Sequence, residues 1–291
     1  IKLFLQKKKV CDFIIEEKFY LNAPEKKKYS KKLFKTNKKS HPGFKRFMNE
    51  EGIFLSGKIL NFNDGSLKNI NFSKPILIKK KLINLNKIVG FHTRNIPHKG
   101  HEWIHELGIK KCKNILIQPI VGHFKKGEYT EKAVIEANKY LVQKKNNQFK
   151  KRNINSKYFF SFINIQPKYA GPREALLHAL IRKNYGCTHF LVGRDHAGFK
   201  NFYEKYDSQK LCKKYEKELK IKIIVFSSPK ICLICKKITN NKCECSTFNP
   251  KNLIDINGSY IRKLIKNKKK VPNYLLNDNF INKISNKNIL H

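Results

Sequence analysis

The sequence predicts an α/β fold built around a parallel sheet. From Lys87 onward, short apolar runs alternate with longer stretches of helical periodicity. Strand, helix, strand in repetition is typical of a parallel sheet that helices cover on both faces. Polar motifs that contain glycine follow the first and the fourth of these apolar runs. Because ligands bind at the carboxyl ends of strands in such sheets, the sequence predicts a ligand site at that edge.

The predicted elements follow the chain in three parts. Residues 1–86 hold short β-like runs at 52–60 and 75–78, a polar turn at 63–65 and several lysine runs, which together predict a small β-rich domain. The predicted strands of the parallel sheet are residues 88–91, 115–120, 159–163, 189–192 and 221–226. The predicted helices are residues 101–107, 130–144, 172–184 and 202–219, with another beginning near Ser259. We therefore predict a central domain at 87–226 and a C-terminal subdomain at 227–291.

The formal net charge of +42 would ordinarily indicate a polyanionic partner, since basic residues release the counterions of phosphates. Only seven of the 63 basic residues are arginine, and Lys, Asn and Ile, whose codons are rich in A and T, are very frequent. We attribute most of the charge to that composition, and predict a solvated lysine surface and no nucleic-acid partner. Each arginine then indicates a need for a planar, bidentate donor.

The chain is expected to be soluble and cytoplasmic. Its 291 residues, 40% of them hydrophobic, can bury a sizeable core. There is no run of about eighteen apolar residues, and no N-terminal apolar stretch precedes a small-residue cleavage site. We therefore expect no membrane partner, and homo-oligomerisation stays open.

A histidine turn follows the first predicted strand. The segment His98-x-Gly100-His101 stands between that strand and a predicted helix. A helix N-terminus presents N–H groups and partial positive charge to phosphates, and glycine lets the backbone approach them closely. Two imidazoles add donors for charge on departing phosphates. The turn indicates a nucleotide-phosphate site; the alternative is a pair of histidines that only cap the helix.

A second motif follows the fourth predicted strand. The hexapeptide GRDHAG occupies residues 193–198, directly after a predicted helix and strand. Pro172 suits the first turn of that helix, which presents one apolar face for burial. The parallel arrangement places Arg194 at the same edge of the sheet as the histidine turn. The alternative is a surface arginine in a loop.

Together with their flanking residues, the two motifs resemble the signatures of the ATP sulfurylase family. The match runs through HTRN at 92–95 into the histidine turn and through residues 169–198; shorter matches lie at 41–43, 118–122, 126–128, 202–209 and 257–262. The chain has His92 where many members of that family carry Gln. The resemblance implies a Rossmann-like nucleotidyltransferase domain, preceded by a shortened PUA-like domain and followed by a small C-terminal subdomain.

The resemblance also implies a role for each motif residue. The sulfate-binding groups would be His92, Arg94, Arg194 and the backbone N–H of Ala197. The nucleotide-binding residues would be Thr93, Asn95, His98, His101, Gly193 and Asp195. The residues implied in catalysis are Arg94, Asn95, His98, His101 and Arg194.

The implied reaction is sulfate adenylyl transfer. Sulfate would attack the α-phosphorus of ATP in line, without a covalent enzyme intermediate, to give adenylyl sulfate and pyrophosphate. Positioning and charge neutralisation would carry catalysis, and Mg²⁺ would arrive with ATP. In reverse, the same site would make ATP. Two alternatives stay open: another adenylyltransferase with the same histidine turn, and a basic nucleic-acid-binding zinc protein.

Four of the eight cysteines crowd into fourteen residues and form a candidate zinc site: Cys232, Cys235, Cys243 and Cys245. Four thiolates on two short turns match a structural Zn²⁺ site, and free thiols are the alternative. Some bacterial members of the resembling family carry a zinc-binding insertion here, with a C-x-x-C pair followed by Cys and His. Thr247 stands where that His would be expected, so Cys245 would serve instead.

Overall fold

A computed structural model describes residues 1–5, 7–63, 73–122, 127–240, 243–245, 249–256, 258–276 and 289–290 of the chain. Some residues of the sequence motifs lie outside the described residues: Asp64 and Gly65 of the predicted turn, Lys126, Thr247 and Asn257. Within the described ranges, every helix is too short or too polar to cross a membrane.

The N-terminal part combines a small sheet with helices. Strands β1 (Lys2–Leu5), β2 (Lys8–Tyr20) and β3 (Ile53–Leu60) form an antiparallel sheet in that order. Helices α1 (Ala23–Phe34) and α2 (Pro42–Asn49) lie between β2 and β3, and neither is among the predicted elements. A capping box begins α1: the Asn22 side chain accepts from the N–H of Glu25, whose carboxylate accepts from the N–H of Asn22. The N-terminal part is therefore less purely β than predicted.

The predicted β-like run at 75–78 is wrong, because these residues begin helix α3 (Pro75–Leu82). Pro75 occupies the first helical turn, where its missing N–H leaves no bond unmade. Ile78 and Leu82 stand four residues apart and both pack against the central core, whereas Ile76 and Leu77 are exposed. Residues four apart lie on one face of a helix, so α3 turns Ile78 and Leu82 toward the core while Ile76 and Leu77 face solvent.

The central sheet is parallel, as predicted, and has six strands among the described residues where five were predicted. They are β4 (Ile88–Thr93), β5 (Asn114–Val121), β6 (Lys157–Phe160), β7 (Ile163–Asn164), β8 (His189–Val192) and β9 (Lys222–Val225). Their order is β6-β5-β4-β8-β9, with β7 beside the end of β5. The predicted run at 159–163 is divided into β6 and β7, because the N–H of Phe162 donates to the Ser73 hydroxyl, 3.2 Å away, rather than to β5.

Helices cover both faces of this sheet. They are α4 (Lys99–Cys112), α5 (Glu131–Lys151), α6 (Pro172–Asn184), α7 (Asp207–Lys214) and α8 (Glu216–Leu219). Neighbouring strand residues point to opposite faces, so Ile88 packs with α6, α7 and α8, while Val89 packs with α4 and α5. The predicted helix at 202–219 begins only at Asp207, because Tyr206 has a left-handed φ of 70°.

The C-terminal part forms a third, small sheet. Strands β10 (Lys230–Cys232), β11 (Ile238–Thr239) and β12 (Leu253–Asp255) are antiparallel, in the order β11-β10-β12. A 3₁₀ turn (Pro250–Asn252) precedes β12, and helix α9 (Gly258–Lys266) begins one residue before its predicted start. Ile231, Ile261 and Leu275 share a buried cluster with Val134 and Leu141 of α5. The C-terminal part is thereby held against the central helices.

The strand order creates one reversal point in the sheet. From β4 the chain moves to β5 and β6 on one side, then returns to β8 and β9 on the other. Neighbouring connections at the carboxyl ends of β4 and β8 therefore diverge and leave a crevice between them. The segments after these two strands carry the histidine turn and the GRDHAG hexapeptide.

Candidate functional site

The histidine turn joins β4 to the N-terminus of α4. His98 is the N-cap of that helix, and its Nδ1 accepts a hydrogen bond from the N–H of His101 at 3.3 Å. The two rings stack, with centroids 3.7 Å apart. The N–H of Lys99 donates to the carbonyl of Leu275, 2.9 Å away, which ties the turn to the C-terminal part. The histidine turn thus lies between the carboxyl end of β4 and the N-terminus of α4, where the sequence predicts it.

A cleft of about 180 Å³ opens at the reversal point. Residues of both signature motifs line it, together with residues from the loop before α6 and from α6 itself. The lining consists of His92, Thr93, Arg94, Asn95, His101, Ile120, Pro167, Tyr169, Glu174, His178, Asp195, His196, Ala197 and Gly198. Two segments a hundred residues apart in sequence therefore meet in one cavity.

Arg94 enters the cleft from the end of β4. Its guanidinium carbon lies 5.6 Å from the centroid of the Tyr169 ring, and its Nη1 lies 3.8 Å from Oε1 of Glu128. Nη1 is buried and has no hydrogen-bond acceptor among the described residues. A buried charged donor without an acceptor is costly, so an anion in the cleft would complete its bonding.

Arg194 lies beside the cleft and is not part of its lining. Its Nε donates to Asp195 at 2.9 Å, and its Nη1 stands 4.0 Å from the Asp255 carboxylate. Both partners are substantially exposed to solvent, and exposed ion pairs contribute little. Arg194 is therefore the sequence neighbour of a cleft residue, Asp195, and its ion pair with Asp195 costs little free energy to break.

Ala197 and Gly193 complete the hexapeptide edge. Ala197 has a left-handed φ of 56°, unusual for a residue with a side chain, and its carbonyl accepts from the N–H of Gly171 at 3.0 Å. This bond ties the hexapeptide to the loop before α6. Gly193 lies against the ring of Phe226, 3.3 Å from where a Cβ would stand, and is outside the lining.

Asn95 is positioned by two partners that the sequence analysis does not assign to the site. Arg262 of α9 donates to its side-chain oxygen at 2.5 Å, and the Asn138 amide of α5 donates to its carbonyl at 3.2 Å. The sequence signals for Arg262 were the short family match at 257–262 and the scarcity of arginine in a lysine-rich chain. The contact brings a second cation to the histidine turn.

Several other cleft residues are absent from the sequence-based assignment. His178 and His196 stand close together, with Nδ1 of the first 3.0 Å from Nε2 of the second. Glu174 is buried, and its oxygens accept from the N–H groups of Lys168 and Ala170 at 2.8 and 3.1 Å. All three lie within the matching segment 169–198, and His196 lies inside the GRDHAG hexapeptide, but the resemblance implies no role for them, and their packing identifies them as cleft residues.

Burial keeps the site histidines neutral. It lowers the pKa of His98 to about 4 and that of His196 to about 3, with neighbouring arginines contributing. It also holds the pKa of His92, His101 and His178 well below 6.5. These imidazoles are therefore hydrogen-bonding groups at neutral pH, and the positive charge around the cleft belongs to arginines.

Because these buried histidines are neutral, we expect the free energy of unfolding of the protein to fall in acid. A histidine whose pKa is lowered by folding contributes stability that is fully present above its unfolded pKa of about 6.5 and is lost as pH falls through the folded pKa. For His98 that window ends at about 4, and the loss at that pH is about 3 kcal/mol. His98→Asn keeps a cap acceptor but cannot bind the proton. We expect the free energy of unfolding, measured by urea titration at a series of pH values, to fall less in this variant; equal acid sensitivity would contradict the assignment.

The four clustered cysteines come together beside β10 and β11. Their sulfurs lie within 4.8 Å of one another, with Cys232 3.7 Å from Cys245 and Cys235 3.2 Å from Cys243. None of the eight cysteines forms a disulfide. A tetrahedral zinc ion with Zn–S bonds of about 2.3 Å would separate its ligands by roughly 3.8 Å. The predicted ligands therefore form a group of the size that such an ion needs.

Comparison with known proteins gives a consistent result. The family model described as ATP-sulfurylase matches residues 74–286. A sulfate adenylyltransferase of Ignicoccus hospitalis is 31% identical over 95% of this chain and 70% of its own length. One of Carboxydothermus hydrogenoformans is 31% identical over 83% of this chain and 62% of its own length. A further relative, from Hyperthermus butylicus, is 30% identical over 87% of the chain and 63% of its own length.

A solved structure supports the fold. The hexameric APS kinase from Thiobacillus denitrificans aligns with 98% of this chain and 48% of its own length, with a TM-score of 0.61 and 13% identity. The chain spans about two thirds of the length of the relatives it matches. The family model covers most of the chain, and its range contains both motifs and the cleft between them. The chain belongs to the ATP-sulfurylase family.

Proposed function

We propose that this chain is a sulfate adenylyltransferase, which transfers the AMP group of ATP to sulfate and releases pyrophosphate. One observation carries the proposal: residues 92–95 and 195–198 line the same cleft at the reversal point of the sheet. Nucleotide phosphates bind at such a point, beside a helix N-terminus. A buried arginine donor there provides for a second, acceptor anion.

Sulfate would occupy the side of the cleft formed by Arg94 and the hexapeptide. Arg94 supplies the buried Nη1 donor, and the backbone N–H of Ala197 would be a second donor. Arg194 would exchange its solvent-exposed pairing with Asp195 for the dianion, since a charge-assisted bond to a doubly charged anion is stronger than an exposed ion pair. Two planar guanidinium groups would then hold the nucleophile.

The phosphates of ATP would lie along the histidine turn. Asn95 and the neutral imidazole of His101 line the cleft, whereas His98, which is not part of the lining, caps α4 beside it. Arg262 sits behind Asn95 and adds positive charge close to the departing pyrophosphate.

Catalysis would rest on positioning. A covalent adenylyl-enzyme intermediate is not needed, because sulfate is itself the acceptor and can be held directly against ATP. Sulfate itself therefore attacks the α-phosphorus in line, while fixed donors stabilise charge on both oxyanions. The same site would form ATP from adenylyl sulfate and pyrophosphate.

Mg²⁺ is assigned to bound ATP rather than to a protein site. The two carboxylates of the cleft lining are Glu174, which accepts two backbone N–H bonds, and Asp195, which pairs with Arg194. They do not form the oxygen set that a divalent cation requires. Mg²⁺ would therefore reach the cleft bound to the phosphates of ATP.

We further propose the three-part division at residues 86 and 226, with the first part a shortened PUA-like domain and the last a small subdomain. Three separate sheets support it, one within each part. The shared cluster of α5 and the C-terminal part indicates that the last part does not fold independently.

The decisive experiment is pyrophosphate release by the purified chain in the presence of ATP and Mg²⁺, measured with and without sulfate. We expect release to require sulfate and to produce adenylyl sulfate. RNA binding, measured in parallel at about 0.15 M salt, should be weak and steeply salt-dependent because scattered lysines are screened. Sulfate-independent release, or tight sequence-selective RNA binding, would favour one of the alternative functions.

We also propose that Cys232, Cys235, Cys243 and Cys245 hold one structural Zn²⁺. Elemental analysis under reducing conditions should give about one zinc per chain. Cys235→Ser should lose the metal and lower the melting temperature by about 5 °C or more, because binding energy at such a site is folding energy. Cys11→Ser, in the N-terminal sheet, should keep its zinc. Purified protein without zinc would contradict the proposal.

A further inference from the structure

Arg182 is a wholly buried arginine that no step of the proposed reaction uses. It stands near the end of α6 with no exposed surface, and its side chain crosses to the central strand β4. The strand carries Gly90 at the crossing, where a Cβ would lie 2.6 Å from Cγ of Arg182. The chain thus leaves room in its core for this one charged side chain.

The guanidinium is aimed at the cleft residue His92. Its Nη2 donates to Nδ1 of His92 and to the carbonyl of Gln118, each at 2.9 Å. A guanidinium has five N–H donors and no acceptor, so Nδ1 of His92 must be unprotonated. The pKa of Arg182 is lowered by burial to about 9, which leaves it charged at neutral pH.

The surroundings hold the His92 ring in the neutral form. Its ring stacks on that of His178, with centroids 4.1 Å apart, and lies 5.0 Å from that of His196. Burial, these two imidazoles and the cations Arg182 and Arg94 all disfavour a charged ring. A neutral imidazole whose Nδ1 is bare carries its proton on Nε2.

The same cluster could in principle hold a metal ion, since ligand nitrogens of His92, His178 and His196 lie within 4.8 Å of one another. The charges argue against that use. Two guanidinium groups adjoin the cluster, and one of them occupies the Nδ1 lone pair of His92. The site therefore favours an anion over a cation.

We infer that Arg182 is a positioning residue that fixes His92 in its Nε2–H tautomer, so that His92 presents one N–H donor to an oxygen of the anion in the cleft. The inference rests on the proposed function for the identity of that anion, sulfate. A glutamine in the same place would offer an amide N–H without needing a tautomer to be chosen. The requirement for Arg182 is therefore specific to a histidine at position 92.

The first test is spectroscopic and uses the wild-type chain. Histidine side chains labelled with ¹⁵N report their tautomer in long-range proton–nitrogen spectra, and His92→Gln assigns the signal. We expect His92 in the Nε2–H form at neutral pH, with its Nε2 signal shifting when sodium sulfate is added. An Nδ1–H or doubly protonated ring would overturn the inference.

The second test is kinetic. Arg182→Met should raise the KM for sulfate by about tenfold, the scale of one charge-assisted hydrogen bond, with the KM for ATP changed less than about twofold. Arg173→Met, an exposed arginine on the same helix, is the control and should leave both values unchanged. The pair His92→Gln and His92→Gln with Arg182→Met should differ by less than about threefold in KM for sulfate, because the amide needs no tautomer control. A tenfold loss in that pair too would mean that Arg182 acts only structurally.

The two tests separate this inference from the proposed function. Wild-type protein that holds His92 as Nε2–H and binds sulfate, but releases no pyrophosphate, would contradict the proposed reaction and support the role of Arg182. An active enzyme whose His92 carries its proton on Nδ1 would support the proposed reaction and contradict the role of Arg182. Should Arg182→Met not fold, the wild-type spectrum alone decides.

Discussion

Arg94→Lys and Arg194→Lys are each expected to lower sulfate-dependent turnover by about a hundredfold or more. Each guanidinium would present two N–H groups in a fixed fork to a tetrahedral dianion, which a lysine ammonium cannot reproduce. The loss corresponds to one preorganised oxyanion donor, about 2.7–4 kcal/mol. The KM for ATP should change much less, because the proposed nucleotide site lies along the histidine turn.

The measurement is initial-rate kinetics with sulfate varied at saturating ATP, on variants with matched circular dichroism and melting. Arg152→Lys, at the exposed end of α5, is the matched control for the same chemical change outside the cleft. The structure makes the comparison informative, since Arg94 lines the cleft while Arg194 pairs with Asp195 beside it. Near-wild-type sulfate kinetics in both variants would refute the sulfate-pocket assignment.

His98→Ala is expected to slow both directions of the reaction, by about a hundredfold each, because the proposed partner of His98 is the phosphate chain that both directions share. The N–H of His101 donates to Nδ1 of His98, so the neutral ring carries its proton on Nε2. That N–H is the donor available to a phosphate oxygen. The Arg94 and Arg194 variants should instead affect the binding of sulfate most.

The alanine substitution also removes the N-cap of α4, a loss of about 1 kcal/mol in stability. His98→Asn separates the two effects, since its side-chain oxygen can cap the helix. The forward rate is followed by pyrophosphate release, and the reverse rate by ATP formation from adenylyl sulfate and pyrophosphate. A variant with a normal reverse rate and a slow forward rate would place His98 on the sulfate side instead.

Local patterns made the central parallel sheet predictable. Strands β4 and β5 are short apolar runs buried on both faces, and the helix that follows each shows its own period, so neither depends on distant residues for recognition. The bounds of α6 and β8 agree with the predicted ranges. Helices α1 and α3 were missed because lysines mask the apolar period, although the capping box of α1 was a local signal.

The candidate site, like the fold, was predictable from the sequence only in part. Sequence alone determined the two motifs and the cysteine spacing, because each is a contiguous set of residues whose chemistry requires short separation. Only the tertiary structure decided that residues 92–95 and 195–198 share one cleft, that Arg262 reaches Asn95, and that Arg194 pairs with Asp195 outside the lining. It also decided the surroundings of His92, whose bond to Arg182 spans ninety residues of chain. Burial and hydrogen bonding between distant segments depend on how the sheet brings helix ends together, and no local pattern encodes that geometry.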